Sequence, residues 1–95
     1  MPRIERTSRA NKDAVEIWAY IADDNNEAAD RLLHQIDDRI RNLSRMPASA
    51  KATPHMGKGL RRSSVGRYMI YYRPIPDGIQ VLRILHGARQ PEDLV

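Results

Sequence analysis

The chain has 95 residues, 41% of them hydrophobic, and carries a formal net charge of +4. That length allows one domain, so we expect residues 1–95 to form a single unit with a small aliphatic core. The absence of cysteine excludes disulfides, and the charged start MPRIERTSR without any long apolar run predicts a cytoplasmic chain with no signal peptide or membrane span.

The first half of the chain predicts a short strand followed by two helices. Residues 3–6 alternate in polarity as a strand does, and Ser8 is a suitable N-cap for the helix that follows. Apolar residues then recur at helical spacing, and we expect all of them in the core: Ala14, Ile17, Trp18, Ile21 and Ala22. Residues 23–26 break this pattern, and a second apolar stripe ends before Pro47: Ala29, Leu32, Leu33, Ile36, Ile40 and Leu43. Because few residues join the helices, we expect an antiparallel hairpin.

The second half of the chain predicts three strands. Residues 47–59 contain two prolines and two glycines and show no period, which is typical of a loop. The period then changes to two, so strands are predicted over residues 60–65, 67–73 and 79–85, with turns at Gly66 and at residues 74–78. Short turns join antiparallel neighbours. The predicted fold class is therefore α+β in the order β-α-α-β-β-β, with the helical hairpin packed on one face of an antiparallel sheet.

Alternation along these strands separates two faces of the sheet. The face covered by the helices is predicted to hold Tyr68, Ile70, Tyr72, Leu82 and Ile84. The open face is predicted to hold Arg67, Met69, Tyr71, Arg73 and Arg83, and it gains Arg61 and Ser63 if Leu60 points inward. Arginines around a tyrosine are typical of a surface for nucleic acid or nucleoprotein. Any half-buried sheet also turns its charges outward, so the pattern alone leaves both interpretations open.

The charges are distributed unevenly along the chain. Between Arg39 and Pro76 there are nine lysines and arginines and no acid, whereas residues 1–46 hold nine acidic and eight basic side chains. This distribution indicates a surface that meets an anionic partner, which is nucleic acid, a nucleoprotein assembly or an acidic protein. The histidines lie in three different elements without ligand spacing, so we expect no metal site and no cofactor: His34, His55 and His86.

Five segments carry a family resemblance over nearly the whole chain: AVEIWAYIA at 14–22, AA at 28–29, GLRR at 59–62, VGRYMIYYR at 65–73 and VLRILHGAR at 81–89. Together they resemble the ParE branch of the RelE/ParE toxin superfamily. The resemblance implies the toxin of a type II toxin–antitoxin pair, which forms a hetero-oligomer with its antitoxin. For ParE-type members it implies poisoning of DNA gyrase, and for RelE-type members it implies ribosome-dependent cleavage of mRNA.

The RelE-type alternative makes demands on particular residues. By resemblance, Arg61 and Arg89 match the positions of two arginines in RelE-type toxins, and His86 is of a residue type suited to acid–base chemistry. The sequence after Arg89 is QPEDLV, which lacks the tyrosine that such nucleases use, and the preceding loop offers one nearby lysine, Lys58. We therefore expect no catalytic residues, and Arg61, His86 and Arg89 are candidates only if the chain is a nuclease. A plain basic nucleic-acid-binding module is a third interpretation.

The expected binding residues follow from the open basic face and from the resemblance. For the target we expect Arg61, Arg67, Tyr71, Arg73, Arg83 and Arg89. Antitoxin tails in this superfamily are typically acidic and amphipathic, so their site should combine basic and apolar side chains. The second helix and the loop after it offer such a set: Arg39, Leu43, Met46 and Met56.

Overall fold

The computed structural model describes residues 2–87 of the chain. Its elements in chain order are strand β1 (Arg3–Arg6), helices α1 (Ser8–Ala22) and α2 (Asn26–Arg45), strand β2 (Lys51–Ala52), a 3₁₀ turn (Pro54–Met56), and strands β3 (Arg61–Val65), β4 (Tyr68–Ile75) and β5 (Gly78–His86). The predicted α+β class and its order of elements are confirmed. Strand β2 is an addition within the predicted loop, because two residues are too few to show a period of two.

The strands form one mixed sheet in the order β1-β5-β4-β3-β2. Strands β3, β4 and β5 are antiparallel neighbours, as predicted, and β2 is also antiparallel to β3. Strand β1 instead runs parallel to β5, with Ile4 opposite Ile79, so the expectation of a purely antiparallel sheet is corrected at this edge. No short turn ties β1 to its neighbour, and the hairpin rule that fixes the direction of the other strands does not apply to it.

Both helices begin at a side-chain cap. The Oγ1 atom of Thr7 accepts a hydrogen bond from the backbone N–H of Ala10 at 3.0 Å, so the cap of α1 is one residue earlier than the predicted Ser8. The same hydroxyl donates to the carbonyl of Leu82 at 2.8 Å and thereby ties the start of α1 to β5. Asn25 caps α2 in the same way through the N–H of Ala28. The bond between Thr7 and Leu82 thus helps to fix where the helical hairpin sits on the sheet.

The main core lies between the helices and one face of the sheet. The predicted stripe of α2 is confirmed, since its members are buried or pack against buried residues: Ala29, Leu32, Leu33, Ile36, Ile40 and Leu43. The sheet contributes a matching apolar surface: Val65, Ile70, Tyr72, Ile79, Val81 and Ile84. The chain has no phenylalanine, and Tyr72 supplies the large aromatic body that fills the centre of this core.

Helix α1 differs from its prediction at Trp18. Ile17 is buried and Ile21 packs against the core, as expected, but Trp18 is 39% exposed. Its indole Nε1 donates to Oδ1 of Asp30 at 2.8 Å, so the ring bridges α1 and α2 on their outer side. Successive helix residues point about 100° apart, so a stripe that included both Ile17 and Trp18 was wider than the face that α1 buries.

A quenching experiment checks the position of this ring. Trp18 is the only tryptophan of the chain, so all indole fluorescence comes from it. We expect acrylamide to quench the folded chain efficiently, because more than a third of the side chain meets solvent. Quenching as weak as that of a fully enclosed indole would contradict this position and restore the core assignment.

A β-bulge changes the register within the hairpin of β4 and β5. Tyr71 lies opposite Arg83, and Tyr72 lies opposite Val81, so Leu82 is the extra residue. The bulge places Val81 in the main core and Leu82 on the other face, and the predicted inward position of Leu82 is therefore wrong. One inserted residue reverses the faces on one side of it, and alternation in the sequence does not reveal it.

A second, smaller cluster covers the face of the sheet that points away from the helices. It consists of Leu60, Tyr71, Leu82 and Leu85, with Met56 and Met69 packed against it. Because Leu60 belongs to this cluster, its neighbours Arg61 and Ser63 point to the helix side. The expectation that Arg61 and Ser63 join the open face is corrected accordingly. We call the surface away from the helices the far face of the sheet.

Candidate functional site

Two of the predicted target-binding arginines hold the fold together. The Nη1 atom of Arg61 donates to the carbonyl of Ala50 at 2.7 Å and to that of Ala48 at 3.3 Å. Arg61 therefore anchors the segment that follows α2. The hydroxyl of Tyr72 donates to the carbonyl of Pro47 at 2.8 Å in the same region. Burial raises the pKa of Tyr72 above its ordinary value, so the phenol keeps its proton, and with it this hydrogen bond, to a higher pH.

Arg83 is the second of these arginines, and its partner is a buried acid that the sequence analysis did not single out. Its Nε and Nη2 atoms donate to the carboxylate of Asp13 at 2.8 and 3.0 Å. Asp13 also accepts the backbone N–H of Ile84 at 2.9 Å, and only 6% of it is exposed. The hydrogen bonds that Arg83 donates to Asp13 raise the pKa of Arg83 and so favour its charged form further. Strand β1 pairs with β5 only as far as Val81, and Asp13 supplies the hydrogen-bond acceptor for β5 beyond that point.

Arg39 makes comparable contacts near the opposite edge of the sheet, where it joins α2 to β3. Its Nη1 atom donates to Oγ of Ser63 at 2.7 Å and to the carbonyl of Ser64 at 2.9 Å. Strand β2 pairs only with Arg61 and Arg62, so these bonds fall on the part of β3 that β2 leaves uncovered. Arg39 therefore fastens α2 to the sheet.

The residues predicted for the antitoxin are not brought together by the fold. Leu43 is 3% exposed within the main core, so its assignment to a surface site is wrong. Its position on the stripe of α2 explains the burial, because that stripe faces the sheet. Met46 is exposed at the end of α2, whereas Met56 packs against the cluster on the far face. With Arg39 engaged at β3, these residues do not form one groove.

The far face carries a group of three neighbouring cations. Lys51 lies opposite Arg62, Arg62 lies opposite Tyr71, and Arg73 follows Tyr71 by two residues on the same side of β4. Within residues 2–87, none of these three cations has an ion pair or a side-chain hydrogen bond. Tyr71 is only 4% exposed, so it packs beneath the cations and offers no open ring for stacking.

A cleft of about 640 Å³ separates α1 from the ends of β4 and β5. Most of its inner lining is apolar (Ile17, Ile21, Leu32, Tyr68 and Ile84), and the buried acid Asp13 also lines it. Exposed side chains surround the opening: Glu16 and Tyr20 on α1, and Arg67 and His86 on the sheet side. The ring of His86 meets Tyr68 edge-on, with centroids 5.5 Å apart. The cleft thus offers buried apolar area with charged groups at its mouth.

The residues that a nuclease would need are separated in the fold. Arg61 lies opposite Tyr72 and His86 lies opposite Tyr68, on the two different neighbours of β4. Four residues along a strand span about 13 Å, so these side chains do not meet at one phosphodiester. Arg89 lies outside the described residues.

Among residues 2–87, no group of three or more metal-binding side chains comes together. In the same part of the chain, neither helix combines the length and apolar character needed to cross a bilayer.

Comparisons with known proteins settle the family. The sequence profile described as "ParE toxin of type II toxin-antitoxin system, parDE" matches residues 4–91. The chain belongs to this ParE toxin family. This chain is similar to a chain of a solved structure described as "Chromosomal ParDE TA system from P. aeruginosa". The TM-score is 0.74 and the sequence identity 21%, and the match covers 90% of this chain and 96% of the solved one. At that identity the likeness shows the fold alone. No curated protein sequence matches this ParE toxin.

The sequence held one unused signal for the site of this ParE toxin. Asp13 falls three residues after Ala10 and four before Ile17, both of which are buried on α1. An acid in line with a buried stripe indicates a buried partner, because an isolated charge is costly to bury. Arg83 on the last strand was the candidate partner. The cleft itself left no comparable signal, since its walls come from distant parts of the chain.

Proposed function

We propose that this ParE toxin inhibits DNA gyrase in the cytoplasm and is neutralised by a cognate acidic antitoxin. Membership of the ParE family over residues 4–91 is the observation that carries the proposal. Inhibition of this kind uses no substrate, because the toxin binds the enzyme in a state that stalls religation of cut DNA. The contact surfaces therefore matter more than any single reactive group.

The separation of Arg61 from His86 supports inhibition over mRNA cleavage. Metal-independent cleavage of RNA requires a base, an acid and cations placed around one phosphate. In this fold Arg61 is engaged with the carbonyls of Ala48 and Ala50 and lies on the other side of β4 from His86. These residues act as structural groups in our proposal.

The far face and the turn before β4 supply the target contacts in this proposal. Of the residues expected for the target, Arg67 and Arg73 remain available, whereas Arg61 and Arg83 are engaged within the fold and Tyr71 is buried. Arg62 joins the set because it lies beside Tyr71 on the far face. Arg89 stays a predicted contact residue.

The cleft between α1 and the β4–β5 hairpin is the surface that we propose for the antitoxin tail. Its apolar walls fit one side of an amphipathic segment, and burial of such a segment offsets the entropy lost when it orders. Arg67 at the opening favours the acidic groups of the tail, whereas Glu16 on the opposite rim repels them. The charges at the mouth of the cleft thus favour a tail orientation in which its acidic side faces Arg67 and not Glu16.

Two assays on the purified chain test the proposed function. We expect the chain to inhibit supercoiling of a plasmid by gyrase and to leave cut DNA, because the family is that of ParE. We expect no cleavage of mRNA on translating ribosomes. Addition of the antitoxin encoded beside the toxin gene should restore supercoiling.

A variant links the inhibition to the proposed contacts. Arg89→Ala is expected to weaken inhibition of gyrase while antitoxin binding stays close to that of the parent, because the antitoxin is placed in the cleft. Cleavage of ribosome-bound mRNA with gyrase unaffected would overturn the proposed function and would make Arg61, His86 and Arg89 catalytic candidates.

A further inference from the structure

The charges of the chain separate into two layers of the fold. Residues 8–45, which form the helical hairpin, hold eight acids and six bases, whereas residues 46–76 hold six bases and no acid. The helices cover one face of the sheet, so the far face lies on the side of the molecule away from the acidic layer. A polyanion is attracted to the far face and repelled from the helical layer.

Three cations of the far face have a regular arrangement. Lys51 and Arg62 are direct cross-strand partners, and Arg73 is diagonal to Arg62 across the β3–β4 pair. Direct partners lie about 5 Å apart and diagonal ones about 7–8 Å apart. These spacings place three positive groups within one short stretch of surface. Among the described residues of β1 to β5, the one acid on this face is Glu5, which pairs with Arg3 at 3.1 Å.

Arg73 adds a separate indication that a ligand belongs here. Its Nε atom is shielded from solvent and has no hydrogen-bond partner among the described residues. A shielded donor without an acceptor is unfavourable and calls for an explanation. The Nη groups of Arg73 are not shielded in this way, so a phosphate can reach them first. Once the side chain turns towards that phosphate, its oxygens supply Nε with an acceptor and a negative charge together, and arginine binds phosphate through such parallel N–H groups.

We propose that Lys51, Arg62 and Arg73 bind the sugar–phosphate backbone of duplex DNA. Tyr71 lies buried beneath them, so this face offers no ring on which an unpaired base would stack. The contacts are therefore with phosphates, and binding does not depend on base sequence. The choice of DNA among polyphosphates rests on the proposed function, in which the toxin meets gyrase together with its DNA.

Fluorescence anisotropy with a short labelled duplex of mixed sequence tests this inference. We expect the affinity to fall as salt rises, with a slope of log K against log salt of about −2.7 for three phosphate contacts. Arg62→Gln and Arg73→Gln should each weaken binding and reduce the magnitude of that slope by about 1. A labelled single strand of the same sequence should bind no more tightly than the duplex.

A matched variant separates a located site from an effect of net charge. Arg31→Gln removes the same charge from an exposed position on α2, within the acidic layer, and we expect its affinity and salt slope to equal those of the parent. Equal losses in Arg31→Gln and Arg73→Gln would overturn the inference, and so would tighter binding of single strands or of an RNA duplex.

The two proposals fail in different ways. A chain that inhibits gyrase but shows no salt-dependent binding of duplex DNA would overturn the DNA-binding face and leave the proposed function standing. A chain that binds duplex DNA through Arg62 and Arg73 but does not inhibit gyrase would support the face and overturn the proposed function.

Discussion

Replacement of Asp13 by alanine is expected to lower the free energy of unfolding by about 3–5 kcal/mol, the usual cost of removing one partner of a buried ion pair. The substitution leaves the guanidinium of Arg83 without its partner in a half-buried position, and it leaves the N–H of Ile84 without an acceptor. For a domain of this size each kcal/mol shifts Tm by about 4–8 °C, so Tm should fall by more than about 12 °C.

Urea unfolding of a matched control distinguishes this pair from an ordinary surface pair. Asp38 pairs with Arg41 on the exposed side of α2, and Asp38→Ala should cost less than about 1 kcal/mol. Asp13→Leu combined with Arg83→Met should recover much of the loss, since an apolar pair of similar volume replaces the charges. An Asp13→Ala chain as stable as Asp38→Ala would contradict the buried position of this pair.

Gly78→Ala is expected to cost about 1–3 kcal/mol and to release β1 from the sheet. Gly78 lies opposite Arg3, and a Cβ atom on Gly78 would stand 1.7 Å from the Arg3 carbonyl oxygen. Backbone atoms of β1 are the ones in the way, so no side chain can turn aside to make room. The first pair of β1 with β5 must therefore separate.

Limited proteolysis and thermal unfolding measure this effect. Trypsin should cut the Gly78→Ala chain faster after Arg3 and Arg6 than it cuts the parent. Gly87→Ala is the matched control, because its Cβ would meet only the Arg67 carbonyl oxygen at 3.3 Å. Cutting of Gly78→Ala at the rate of the parent would mean that β1 does not depend on this close approach.

Periodicity in the sequence determined most of the architecture. The stripe of α2 and the three strands after the loop were predicted because each repeats its pattern over enough residues to be recognised. The bulge at Leu82 was not predicted, since it inserts a single residue and leaves both flanking patterns intact. The parallel pairing of β1 was missed because nothing local to residues 3–6 encodes a neighbour more than seventy residues away.

The binding surfaces were less predictable than the fold. The sequence showed that the second half of the chain is basic, but it did not show that Arg39, Arg61 and Arg83 are engaged within the protein. Each of these arginines bonds to a residue of another segment of the chain, and a local sequence pattern does not show which distant residues become neighbours. Lys51 and Arg62 show the opposite error: the sequence analysis did not assign them to the target surface, yet the fold places both on the far face.

The charged contacts at both ends of the sheet also bear on how copies of this chain behave towards one another. Beyond β1 the carboxylate of Asp13 occupies the N–H of Ile84, and beyond β2 the guanidinium of Arg39 occupies the carbonyl of Ser64. A strand from a second copy would have to displace one of these charged contacts at either place, which opposes edge-to-edge pairing there. The two charged contacts thus protect from strand addition the parts of β5 and β3 that β1 and β2 leave uncovered.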